Sequence, residues 1–115
     1  MARTPEEVFT DHVALVNRGE LSPVLDDYAE DAVLLTAQGP LKGHAGVEAF
    51  FTQAFTMFPS AVVTIKSTVW DGDALLVWWD VDSPGGKVDD GVDTILISDG
   101  LIKLQTTSFT PQLNG

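Results

Sequence analysis

Apolar positions recur at helical spacing in the first half of the chain and alternate along most of the second. Val8, Phe9, Val13 and Val16 form one helical stripe with His12 in its middle, which predicts a helix from Pro5 to about Arg18. Thr4 stands at the N-cap, Pro5 at the first helical position and Glu7 where a capping box closes, and Gly19 supplies the stop. Ser22-Pro23 repeats the start signal for a short second helix that buries Leu21, Val24, Leu25 and Tyr28. A strand is predicted over Ala32 to Ala37, broken by Gln38-Gly39-Pro40. A third helix from about His44 to Pro59 carries Val47, Phe50, Phe51, Phe55 and Phe58 at spacings that give a wide apolar face.

The rest reads as a four-stranded meander. Its strands are Ala61 to Trp70, Ala74 to Asp82, Val88 to Ile97 and Leu101 to Phe109, joined by turns at Asp71-Gly72-Asp73, Ser83-Pro84-Gly85-Gly86 and Asp99-Gly100. Three helices, one early strand and a meander make an α+β plan. Counting by twos, Asp93 shares a face with Ile95 and Ile97, so a carboxylate points wherever those isoleucines point. The late strands are nevertheless apolar on both faces: Leu75, Val77, Trp79 and Val81 lie on one, Leu76 and Trp78 on the other. The expectation is that the second face meets another copy of the chain in a two-fold homodimer.

With 115 residues the chain is read as one domain spanning 1–115. Seventeen acidic residues against six basic ones, a net charge of −11, disfavour binding to nucleic acid or to an anionic membrane surface. There is no cysteine, and the two histidines lie far apart, so neither disulfide nor metal chemistry is expected. No signal-like start is seen, which favours a cytoplasmic setting.

Several strings in this order resemble the nuclear transport factor 2-like superfamily, in its SnoaL-like polyketide cyclase and ketosteroid isomerase-like branches. They are Asn17-Arg18-Gly19-Glu20-Leu21, Tyr28-Ala29-Glu30-Asp31-Ala32-Val33, Lys42-Gly43-His44-Ala45-Gly46-Val47 ahead of Phe50-Phe51, and Val92-Asp93-Thr94 with Ser98-Asp99-Gly100. The resemblance implies a cone in which three N-terminal helices pack on a curved, mostly antiparallel sheet and enclose a pocket. It also implies a late-strand acid at Asp93, places the helix tyrosine of the isomerases at His12, and places their first-strand base at Thr36, which is no carboxylate.

Asp93 in an apolar pocket would have its pKa raised and so become a better acid/base; on an exposed strand it would be idle. His12 can pair with Asp93, act directly, or be a hydrogen-bonded core histidine. Tyr28 can donate to a substrate oxygen or merely pack. The expected pocket lining is Thr36, Phe51, Phe55, Val77, Trp79, Ile95, Gln105 and Thr107, which suits a small, flat, hydrophobic ligand, whereas Phe50 and Phe58 are assigned to packing. The expected activity is cofactor-independent isomerisation or cyclisation of a small hydrophobic carbonyl or polyketide-like molecule. The alternative is a non-catalytic dimeric binding or assembly module of the same fold.

Overall fold

The computed structural model describes residues 3–114. Helix α1, Pro5–Arg18, begins with the capping box read from the sequence: the Thr4 hydroxyl accepts from the Glu7 amide and the Glu7 carboxylate accepts from the Thr4 amide. It ends on Gly19 in the left-handed region. Helix α2 is Leu21–Leu25, with Glu20 rather than Ser22 at the N-cap. Strand β1, Tyr28–Thr36, starts four residues earlier than the apolar run suggests, so Tyr28 opens a strand instead of closing a helix. Gly39–Lys42 is not merely a break: it forms strand β2, antiparallel to β1.

Helix α3, Gly43–Met57, follows β2, so the three helices are not consecutive in the chain. Strands β3 (Val62–Asp71), β4 (Ala74–Ser83), β5 (Gly86–Ser98) and β6 (Leu101–Ser108) form the expected meander, and β7 (Gln112–Leu113) adds a short pairing to β5. The sheet order is β2-β1-β6-β5-β4-β3. Among the described residues only β1 and β6 run parallel, and the other pairs are antiparallel. The hairpin between β5 and β6 turns on Asp99 and Gly100, with φ of 56° and 75°, the twist a two-residue connection needs.

Register shifts interrupt β3–β4 between Ile65 and Ser67, β4–β5 between Trp79 and Val81, and β5–β6 between Leu96 and Ile97. Each extra residue bends its strand, and together they curve the open sheet toward the helices. Helix α3 lies against β1 and β2, while α1 crosses β3, β5 and β6. The core between these layers is built on Val8, Val24, Val47, Leu75, Val77, Ile95, Ile97 and Ile102. A smaller cluster of Phe58, Val81 and Val88 carries Trp79 and Phe109 at the open end. Among the described residues, no helix is long and apolar enough to cross a membrane.

Candidate active site

Register gathers the candidate site residues on the concave face of the sheet. Asp93 on β5 stands opposite Val77 on β4 and Thr107 on β6, Ile95 stands opposite Gln105, and Trp79 stands opposite Gly91. The parity read from the sequence therefore holds: Asp93 is 8% exposed and faces inward with Ile95 and Ile97. A Cβ at Gly91 would come within 2.3–2.6 Å of three atoms of the Trp79 ring. The absence of a side chain there lets the indole lie flat on β5, from which its Nε1–H donates to Asp93 Oδ1 at 3.0 Å. Gln105 Nε2 donates to Asp93 Oδ2 at 2.7 Å, and Tyr28 Oη donates to Gln105 Oε1 at 2.5 Å.

Asp93, Trp79 and Gln105 line a cavity of about 120 Å³. Of the residues predicted from sequence, Asp93, His12, Phe51, Phe55, Val77, Trp79, Ile95, Gln105 and Thr107 line it. Phe50 and Phe58, assigned to packing by their helical spacing, line it too, with Phe9 and Phe109. Thr36 does not: its hydroxyl donates to Gly39 O and accepts from Gln38 N inside the β1–β2 turn, at the far end of its strand. Tyr28 also stands back from the cavity, behind Gln105, with its phenol committed to that amide.

His12 reaches the cavity from α1, gripped edge-on by Tyr28 and Phe51 at ring distances of 5.6 and 5.9 Å. Of the readings open from the sequence, pairing with Asp93 is not what the ring nitrogen makes; it faces a different carboxylate. His12 Nδ1 lies 3.3 Å from Asp27 Oδ2, and Asp27 Oδ1 accepts from Arg3 Nη2 at 3.2 Å. Asp27 is only 2% exposed and was not singled out from the sequence, where Asp26-Asp27 ahead of a strand resembles a solvated turn. Its only signal was the charge placed directly before the buried pair Tyr28-Ala29.

The model of the SnoaL-like domain family matches residues 9–105. The chain belongs to the SnoaL-like domain family. Solved structures share its fold at low identity. The epoxide hydrolase/cyclase-like enzyme SalBIII of pyran ring formation in the polyether salinomycin has a TM-score of 0.81 at 15% identity, covering 96% of this chain and 95% of that one. A candidate ketosteroid isomerase from Kribbella flavida has a TM-score of 0.77 at 18% identity, covering 100% and 85%. A candidate polyketide cyclase from Sinorhizobium meliloti has a TM-score of 0.77 at 20% identity, covering 89% and 94%. Among curated proteins, none matches. The neighbours fix the fold; what this SnoaL-like domain does must be argued from its own side chains.

Burial pushes the Asp93 carboxyl above its ordinary value, against the opposing pull of Thr107, Gln105, Trp79 and nearby His12. Desolvation wins because the cavity wall is almost wholly apolar. Burial, aided by Asp93 and Asp27, also pushes the Tyr28 phenol well above its usual value, so it remains a neutral donor to Gln105. Among the described residues, no group of three His, Cys, Asp or Glu side chains is placed to hold a metal ion.

The Asp93 shift has a signed consequence for stability. Its folded pKa lies above its unfolded value of about 4, so the native state binds the extra proton between the two. This contribution to stability is complete below the unfolded pKa and is lost as pH rises through the folded one. Tm measured against pH for wild type and Asp93→Asn should therefore show a wild-type advantage that shrinks from about pH 4 upward and then levels. A difference that stays constant across this range would place Asp93 in water.

Proposed function

We propose that this SnoaL-like chain is a cofactor-independent acid/base enzyme, an isomerase or cyclase acting on a small hydrophobic carbonyl or polyketide-like molecule, with Asp93 as the proton-transferring group. The observation that carries this is a buried carboxyl in the wall of an apolar cavity, accepting from Trp79 on one oxygen and Gln105 on the other yet pushed up by desolvation. As a carboxylate it can take a proton from the carbon beside a carbonyl, and as the acid it can return that proton elsewhere on the same skeleton. Tyr28 supports Asp93 through Gln105 and does not itself reach a substrate oxygen.

Size narrows the ligand. A cavity of roughly 150 Å³ holds one benzene, so about 120 Å³ suits a single six-membered ring, with larger ligands extending through the mouth. Tryptophan fluorescence titration with cyclohexenones, phenols and naphthols tests this. Saturable quenching by the single-ring compounds, lost in Trp79→Phe, is the expected result. No saturable binding by any member removes support for a ligand cavity of this class.

A second reading, a dimeric binding or assembly module, draws on the convex face of the sheet. Trp78, Leu96, Leu35 and Val69 are 36–54% exposed there, an apolar stripe running across the strands. We propose that this face forms the homodimer contact, which is compatible with either reading. Sedimentation velocity should find a wild-type dimer and a Trp78→Glu monomer. A wild-type monomer at tens of micromolar would reject the contact.

A further inference from the structure

Outside the Asp93 network the described residues hold one other buried carboxylate, Asp27, and the acid/base reading above makes no use of it. A charge only 2% exposed is costly unless paired. Asp27 is paired twice, with Arg3 Nη2 at 3.2 Å and His12 Nδ1 at 3.3 Å, while its own backbone carbonyl accepts from Ile102 N at 2.7 Å on β6. The Arg3 guanidinium, shared with Asp11 at 3.0 Å, supplies a permanent counter-charge from outside.

An ionised carboxylate can only accept, so the ring nitrogen that faces it must carry the proton. That assigns Nδ1–H to Asp27 and leaves Nε2 of the neutral ring with a lone pair. The contact to Asp27 is made by Nδ1, and His12 lines the same cavity as Asp93. The rings of Tyr28 and Phe51, each at 74° to the imidazole, fix the plane in which that lone pair lies.

We propose that Asp27 is a positioning residue that holds His12 as a second proton-transfer group, with Nε2 of His12 and the carboxyl of Asp93 serving two different atoms of one ligand. The inference rests on the acid/base reading of the cavity and narrows its substrate to an enolisable single-ring ketone whose double bond migrates. With Asp93 protonated, Nε2 takes a proton from the carbon between the carbonyl and the double bond. The C–H electron pair forms the dienolate, and the far carbon then takes the Asp93 proton. One C–H bond breaks and one forms; His12 ends as imidazolium and Asp93 as carboxylate, and a proton passed from one to the other restores both. Besides Asp27, the titratable groups around His12 are the Tyr28 phenol beside it, Asp93 in the same cavity, and Arg3 and Asp11 behind Asp27.

Long-range proton–nitrogen NMR of histidine-labelled protein, with His44→Gln for assignment, reads the tautomer without any ligand. A neutral His12 protonated at Nδ1 supports the positioning role. A ring protonated at Nε2, or at both nitrogens from pH 6 to 9, overturns it, and this wild-type result decides the matter even where Asp27→Asn fails to fold. The second readout is conversion of cyclohex-3-enone to cyclohex-2-enone. Asp27→Asn, whose amide can turn its NH₂ toward Nδ1, should move the proton to Nε2 and lower kcat by about 100-fold or more with KM changed only a few-fold. An unchanged kcat overturns the proposal. Absence of turnover by the wild type, with Nδ1–H in place, overturns the acid/base reading and His12's part in it while leaving the tautomer assignment standing.

Discussion

Asp93→Asn is expected to lower turnover of a single-ring enone by about 10²–10⁴-fold, the usual share of a positioned acid/base, while the ring still binds within a few-fold of its wild-type affinity. The substitution keeps shape and volume, so the apolar wall that supplies affinity is intact. What changes is proton traffic and hydrogen-bond polarity. Asp93 accepts from Trp79 on one oxygen and from Gln105 on the other. An asparagine accepts on one side only, and its NH₂ then faces a donor. Reversing Gln105 relieves that conflict by donating its NH₂ to the Tyr28 oxygen, but the phenol proton then loses Oε1 as its acceptor. Turnover at saturating ligand and affinity by Trp79 fluorescence, measured on the same preparations, separate the two effects. Retention of more than a tenth of wild-type kcat would remove Asp93 from the reaction.

Gly91→Ala should destabilise the fold by about 1–3 kcal/mol, the cost of forcing extra volume into a packed site, although alanine is ordinarily a mild replacement in a strand. Gly91 has no left-handed φ, so the backbone accepts the change. The conflict is with Trp79, whose ring atoms lie 2.3–2.6 Å from the added Cβ. The indole must swing away, which breaks its 3.0 Å hydrogen bond to Asp93 and opens the cavity wall. Urea unfolding of Gly91→Ala, Trp79→Leu and the double variant forms a cycle in which the two changes should be strongly non-additive. A Gly91→Ala midpoint equal to wild type would mean the ring has room to move.

Much of this arrangement is legible in the sequence where local chemistry is decisive. The Thr4-Pro5-Glu6-Glu7 start, the Asp99-Gly100 turn and the inward parity of Asp93 each follow from interactions within a few residues. What escapes has long-range causes. Gly39-Pro40 looks like a break, yet β2 is an edge strand, where a proline leaves no ladder bond unmade. Polar Glu30-Asp31 hides the early start of β1, because those two residues are exposed while Tyr28 and Ala29 beside them are buried. Thr36 occupies the position expected of a first-strand base but is drawn into a turn. Asp27 and Gly91 matter only through partners far along the chain, respectively Arg3 with His12, and Trp79, and no local pattern marks either pairing.

The sheet order carries a consequence for how the protein is made. β6, the last long strand, does not extend the edge of the sheet; it fills the middle, between β1 and β5. On a ribosome, β1 and its hairpin partner emerge early and wait with an unpaired edge, since Leu34 pairs across to Gln105, about seventy residues further along the chain. During that interval β5 lacks the same partner, and two open strand edges coexist on one nascent chain. Gln105 and Thr107 arrive on the very strand that joins the two halves, so Asp93 acquires its amide donor in the same event that seals the sheet. Chains released before β6 should be sticky and should lack the Gln105 donor to Asp93 at once.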